Sequence, residues 1–187
     1  MELLLLSFFT VGIAEFGDKS QLITLYLAGK NHRSWHMLLG MATASLINHY
    51  MAAWVGVAVH DWLSGNVLRI ISGAIFILIG VFSWKHEDAQ KMTIFNKKMP
   101  ALLTCFLFYF VAEAADKTQI ATAALAAYNH TVWMIVFGAT LGMIAANLPV
   151  IYLGKQFGKR VPLDTLKKVA AVLFVVIGVF MIGSLFL

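Results

Sequence analysis

The heptapeptide Glu15-Phe-Gly-Asp-Lys-Ser-Gln21 recurs, 98 residues later, as Glu113-Ala-Ala-Asp-Lys-Thr-Gln119. The same offset aligns the rest of the chain without a gap. The further matches are Asn31-His32 with Asn129-His130, Trp35 with Trp133, Gly40 with Gly138, Gly56 with Gly154, and residues 79–82 with residues 177–180. Chance similarity between apolar helices would repeat Leu and Val, but not charged residues and glycines at one constant offset. The chain is therefore a duplication, with predicted units at residues 1–84 and 101–187 and a cytoplasmic polar linker at residues 85–100.

The composition is that of a membrane protein. Hydrophobic residues make up 60% of the 187 residues and charged residues only 12%, with a mean hydropathy of +0.82. A soluble domain with so few charges would expose large apolar patches. Six apolar stretches approach or exceed the roughly 20 residues that cross a bilayer as a helix. They are residues 3–28, 36–59, 66–84, 101–127, 132–153 and 166–187. The sequence predicts an all-α integral membrane protein with six transmembrane helices.

The distribution of basic residues predicts the orientation of these helices. Loops one, three and five hold eleven basic residues, whereas the opposite loops and the termini hold only Arg69. Basic residues favour the cytoplasmic side, so both termini are expected to be extracytoplasmic, in the inner (plasma) membrane. The net charge of +5 therefore indicates membrane topology, and we expect no nucleic-acid partner.

Three spans in each unit make the repeats inverted, because the second unit then enters the membrane from the opposite side. Transporters often have this plan, with a pseudo-two-fold axis in the membrane plane and a substrate site near the midplane where the units meet. The two units offer a natural pair of inward-facing and outward-facing arrangements. The sequence leaves homo-oligomerisation open.

Four of the nine carboxylates fall inside predicted spans, as Glu15 and Asp18 in the first and Glu113 and Asp116 in the fourth. An ionisable group at the bilayer centre costs at least about 2.5 kcal/mol, so four of them need a reason. The i, i+3 spacing predicts that each Glu and Asp share one helix face. Pairing with Lys19 and Lys117 would give a purely structural polar core. Two negative charges would remain, however, and one divalent cation or two protons would cancel them.

The residues that follow each Asp fit a site for a hard divalent cation, which takes carboxylate, hydroxyl and amide oxygens. They are Ser20, Gln21, Thr118 and Gln119. Asn48 and Asn147 are further polar residues within predicted spans, and they either line the cavity or bond helices together. The sequence has one cysteine and no histidine cluster, so a soft-metal site is not indicated.

The two motifs resemble the paired Glu-x-Gly-Asp-Lys/Arg-Ser/Thr signature of the Gdt-type cation/proton exchanger family, whose bacterial members include manganese exporters. The resemblance covers essentially the whole chain. It implies export of Mn²⁺, or of Ca²⁺ as in some eukaryotic members, in exchange for protons and without a cofactor. The motif residues that carry over are Glu15, Asp18, Lys19, Ser20, Glu113, Asp116, Lys117 and Thr118. Ala115 departs from the motif glycine.

Two other functions remain as alternatives. Paired acidic helices could also hold the ammonium groups of small organic cations or amino acids, which an exporter would carry. Gly17 before Asp18 is reminiscent of intramembrane aspartyl proteases, but their Gly-x-Gly-Asp and Tyr-Asp patterns are both absent from the sequence. We therefore expect a transporter and not an enzyme.

Overall fold

The computed structural model describes residues 1–16, 18, 20–21, 24, 27, 33–83, 99–114, 116–153 and 163–185. Seven helices have their bounds within these ranges. They are α1 Glu2–Ala14, α2 Ser34–His60, α3 Gly65–Ser83, α4 Ala101–Glu113, α5 Lys117–Asn129, α6 Trp133–Leu153 and α7 Leu163–Gly183. Most of the predicted linker lies outside the described residues, as do Gly17, Lys19, Ala115 and Gly154.

The described part of the chain is helical, which confirms the predicted all-α class. By length and composition, two of its helices could cross a bilayer, at Gly65–Ser83 and Trp133–Tyr152. Shorter apolar helices occupy Glu2–Ala14, Ala101–Glu113 and Lys168–Gly183. The arrangement of six spans stays a prediction.

The predicted continuous helices at the two motifs are wrong. Helix α4 ends at Glu113, and Ala114 (φ −57°, ψ 121°) and Asp116 (φ −74°, ψ 165°) leave the helical conformation before α5 begins. Likewise, α1 ends at Ala14, and among the described residues helical structure resumes at Ser20. Each Glu and Asp pair therefore lies across a helix break and not on one helix face. Hydropathy averages over a window, so a short break inside an apolar stretch escapes it.

The helices of the two units interleave. Helix α1 of the first unit packs against α6 of the second, and α4 of the second packs against α2 of the first. Glycines allow both approaches, since a Cβ on Gly40 would lie 2.7 Å from Cys105 Cβ, and one on Gly138 would meet Ser7 Oγ. Cys105 and Ser7 are themselves 98 residues apart (105 − 7), as are the two glycines. The two units thus use equivalent positions for equivalent helix contacts.

Residues at the repeat offset also contact one another directly. Ser45 Oγ lies 2.8 Å from Met143 Sδ, and the ring centroids of Phe76 and Phe174 are 5.7 Å apart. Both pairs are separated by 98 positions (143 − 45 and 174 − 76). A two-fold axis between the two units would produce such contacts.

The contact between α1 and α6 predicts a large effect of one added methyl group. A Cβ on Gly142 would meet the carbonyl oxygen of Phe8 and lie 2.9 Å from the amide nitrogen of Gly12, so the α1 backbone would have to move. We expect Gly142→Ala to destabilise the protein by about 1–3 kcal/mol, as overpacking does. The measurement is thermal unfolding in detergent. Gly65→Ala is the matched control, because nothing lies within 4 Å of its added Cβ. Equal midpoints for the two variants would contradict the close packing.

Candidate metal centre

The two motifs form the same backbone turn. In each motif the Asp amide donates a hydrogen bond to the Glu carbonyl, at 3.1 Å in both units. The Gln amide then donates to the Asp carbonyl, at 3.1 Å in the first unit and 3.0 Å in the second. These bonds account for backbone groups that the helix break would otherwise leave unpaired. The repeated sequence therefore encodes a repeated break, which leaves acidic side chains beside helix ends.

Three motif carboxylates from the two units converge. Glu15, Asp18 and Asp116 each offer an oxygen, and these oxygens all lie within 4.8 Å of one another. The side chains of Glu15 and Asp18 are only 1% and 3% exposed. Three carboxylates this close repel one another strongly unless cations or protons are bound. The structure thus brings together three of the four predicted acidic ligands.

Lys117 contributes the positive charge at this cluster. Its Nζ donates to Asp18 Oδ1 at 2.8 Å, and both side chains are mostly buried. The bond joins the motif lysine of one unit to the motif aspartate of the other. Lys19, the second predicted counter-charge, lies outside the described residues. One lysine against three carboxylates leaves a net negative charge among the described side chains, as a site for a divalent cation requires.

Glu113, the fourth predicted acidic ligand, lies outside the group of three. Its side chain is 3% exposed and its Oε2 accepts a hydrogen bond from Ser45 Oγ at 3.0 Å. Sequence analysis missed Ser45, because its importance depends on the contact between α2 and α4. Ser45 also lies next to Met143, its counterpart at the repeat offset, so Glu113 lies close to a contact between equivalent positions of the two units.

The other predicted ligands of the first motif are well bonded. Ser20 Oγ donates to Glu15 Oε2 at 2.5 Å, and Gln21 Nε2 donates to the Ala146 carbonyl at 3.1 Å. Thr24 Oγ1 lies 2.7 Å from Tyr109 Oη. Sequence analysis missed Thr24, although its match to Thr122 at the repeat offset was a usable signal.

The equivalent residues of the second motif are buried but unpaired. Thr118 Oγ1 and both side-chain polar atoms of Gln119 form no hydrogen bond in the part of the chain that the structure describes, and the same is true of Oε1 in Glu15 and in Glu113. A buried polar atom without a partner costs about 1–3 kcal/mol. Such atoms are suitable ligands for an ion or an ordered water molecule.

The two asparagines that the sequence places within predicted spans have different roles. Asn48 Nδ2 donates to the Phe110 carbonyl at 3.1 Å, so it bonds α2 to the last turn of α4. Asn147 Oδ1 lies 3.0 Å from Thr24 Oγ1, and its Nδ2 lies 3.4 Å from Ser20 Oγ. Asn147 therefore supports the first motif directly, whereas Asn48 bonds helices together.

Comparison with known proteins identifies the family of this chain. Residues 3–91 and 101–186 match the profile of a family described as "Divalent cation/proton antiporter GDT1". A Vibrio cholerae protein named "Putative manganese exporter" is 36% identical over 175 residues, which cover 93% of this chain and 87% of that protein. A GDT1-like protein of Synechocystis is 27% identical over 91% of this chain and 94% of its own length. GDT1-like protein 3 of Arabidopsis thaliana is 22% identical over 90% and 66%, respectively.

No solved structure matches the chain. The family match, by contrast, extends over nearly the whole chain and includes both acidic motifs. The resemblance that the motifs indicated is therefore confirmed, and the function of the family is transport across a membrane. This chain belongs to the GDT1 family of divalent cation/proton antiporters.

Proposed function

We propose that this protein exports Mn²⁺ across the cytoplasmic membrane in exchange for protons. The observation that carries the proposal is the convergence of Glu15, Asp18 and Asp116 from two units at one buried place. Ca²⁺, with metal–oxygen distances of about 2.3–2.6 Å, has its opposite ligands at most about 5 Å apart, and a smaller divalent cation draws its ligands closer together. Oxygens within 4.8 Å of one another can therefore bind a single ion. The name of the Vibrio cholerae relative supports Mn²⁺ as the substrate.

Exchange follows from competition for the same oxygens. A divalent cation binds ionised carboxylates, whereas protons neutralise them, and burial makes the unneutralised cluster unfavourable. Either the metal ion or protons should therefore be bound at any time. Protons arriving from outside would release Mn²⁺ there, and Mn²⁺ arriving from the cytoplasm would release protons.

We further propose that six membrane spans form two inverted repeats around this site, with both termini extracytoplasmic. The reciprocal contacts of α1 with α6 and of α4 with α2 support this arrangement, as do the direct contacts between residues 98 positions apart. The helix breaks support it too, since discontinuous helices commonly line midplane sites in transporters of this plan.

Transport by the purified protein in liposomes tests the proposal. We expect an imposed pH gradient to drive Mn²⁺ in the direction opposite to proton movement, followed with one dye for the metal and one for pH. Liposomes without protein and a collapsed pH gradient are the controls. Mn²⁺ movement that neither responds to the gradient nor carries protons would contradict exchange, and an absence of metal movement would contradict transport itself.

A further inference from the structure

His49 is a buried polar residue that the proposed mechanism does not use. It lies on α2, is 0% exposed, and places its Nδ1 3.1 Å from Thr140 Oγ1. Its other ring nitrogen, Nε2, is buried and forms no hydrogen bond with any described residue. Burying an unpaired polar atom is unfavourable, so Nε2 calls for a partner.

The repeat relation indicates where Nε2 points. The counterpart of His49 is Asn147 (147 − 49 = 98), which contacts Ser20 and Thr24 of the first motif. The counterparts of those two residues are Thr118 and Thr122 on α5, the helix that packs against α2. Thr24 and Thr122 even make the same bond, each donating at 2.7 Å to the carbonyl four residues earlier. The repeat relation therefore predicts that His49 lies near Thr118.

The first residues of α5 also carry buried polar atoms without partners. Thr118 Oγ1 and the Gln119 amide are buried and unpaired among the described residues, and the His49 ring nitrogen is unpaired as well. At the first motif the corresponding residues, Asn147 of the second unit and Ser20 of the first, approach each other at 3.4 Å. The second motif therefore differs from the first in presenting unpaired donors and acceptors, which an additional ligand would satisfy.

We propose that His49 Nε2, Thr118 Oγ1 and the Gln119 side chain form a second ion subsite on the second motif, which selects a transition-metal ion over Ca²⁺ and Mg²⁺. Neutral imidazole is a ligand for transition metals, whereas Ca²⁺ and Mg²⁺ take oxygen ligands. When Nδ1 carries the ring hydrogen and donates it to the Thr140 hydroxyl, Nε2 has a free lone pair that can bind a metal ion. Histidine ligands of metals commonly have this arrangement, in which the second ring nitrogen donates to a fixed acceptor. This inference deepens the proposed export and rests on it.

Metal binding to the purified full-length protein tests the subsite. His49→Asn installs the residue that the second unit has at the equivalent position, Asn147, and His60→Asn is the control. His60 is the last residue of α2, and its Nδ1 lies 2.7 Å from the Ala127 carbonyl oxygen. We expect His49→Asn to weaken Mn²⁺ and Zn²⁺ binding by about tenfold or more and to leave Ca²⁺ binding unchanged. His60→Asn should change none of the three.

Two further variants keep the test decisive. His49→Gln guards against misfolding of the asparagine variant, and Thr140→Val removes the hydroxyl partner of Nδ1 while leaving the imidazole in place. The valine variant should lower the Mn²⁺/Ca²⁺ affinity ratio by a smaller factor, about threefold. If His49 had only a structural role, the variants at His49 and Thr140 would lower stability without changing the Mn²⁺/Ca²⁺ affinity ratio. A folded His49→Asn or His49→Gln protein with an unchanged Mn²⁺/Ca²⁺ affinity ratio would overturn the subsite. The subsite is tested by metal binding to the variants, whereas the proposed export is tested by Mn²⁺ movement through the wild-type protein in liposomes. The two proposals can therefore fail independently.

Discussion

Glu15→Gln is expected to abolish Mn²⁺ transport while leaving the protein folded. Gln has nearly the same shape as Glu, and its side-chain oxygen can still accept the hydrogen bond from Ser20. The variant nevertheless removes one of three acidic groups whose oxygens lie within 4.8 Å of one another. At about 4 Å and an effective dielectric constant of about 20, one unit charge contributes about 4 kcal/mol per opposing charge. Mn²⁺ binding should therefore weaken by about a hundredfold or more.

The control for this prediction is Glu2→Gln, which removes an acidic group from the exposed first turn of the same helix. Mn²⁺ flux into liposomes and equilibrium binding are measured for both variants and for the wild-type protein. Full transport by Glu15→Gln would show that the three carboxylates do not bind the transported ion. Loss of transport by Glu2→Gln as well would point to a general effect on folding or insertion.

Glu113→Gln should also stop transport, but for a different reason. Glu113 lies outside the group of three carboxylates and contacts Ser45 near the axis between the units. We therefore expect its variant to bind Mn²⁺ within about fivefold of the wild-type affinity, because the charged cluster remains intact. Binding without transport would assign Glu113 to a later stage of ion or proton movement, whereas a loss of binding as large as that of Glu15→Gln would place it among the first ligands.

The duplication made much of the fold and site predictable from sequence. Ionisable residues repeated inside apolar stretches indicated helices, a family and an acidic site, because a charge in lipid is retained only for a reason. The convergence of Asp116 with Glu15 and Asp18 agrees with the predicted meeting of the two motifs, which the proposed inverted arrangement of the units would produce. The identity of the transported ion does not follow in this way, because Mn²⁺ and Ca²⁺ accept the same oxygen ligands.

The features that escaped prediction depend on local backbone geometry or on the axis between the units. The extended conformation of Ala114 and Asp116 follows from a turn that hydropathy cannot detect. The roles of Ser45 and Met143 depend on their contact across the axis, and neither residue stands out in an apolar helix. His49, in contrast, can be paired with Asn147 from the sequence alone, because the offset of 98 relates the two residues.

Lys117→Met is expected to destabilise the protein strongly, and added Mn²⁺ should restore part of the lost stability. Lys117 Nζ is 2.8 Å from Asp18 Oδ1, and Asp18 is only 3% exposed. Removing one partner of a buried ion pair typically costs about 3–5 kcal/mol, because the other charge stays buried without compensation. A divalent cation at the carboxylates would replace the missing positive charge, so the increase in unfolding midpoint on Mn²⁺ addition should be larger for the variant than for the wild-type protein.

A double variant separates the charge from the packing of the lysine. Asp18→Asn combined with Lys117→Met removes both charges, so it should recover much of the stability lost in Lys117→Met. It should not recover transport, because Asp18 is also one of the three converging carboxylates.

Lys168→Met, at an exposed position on α7, is the control for the loss of any lysine. If Lys117→Met were as stable as Lys168→Met without metal, Asp18 would not depend on Lys117 for its charge balance. If the double variant still transported Mn²⁺, Asp18 would serve only to hold the two units together, and the ion would be bound by the remaining carboxylates.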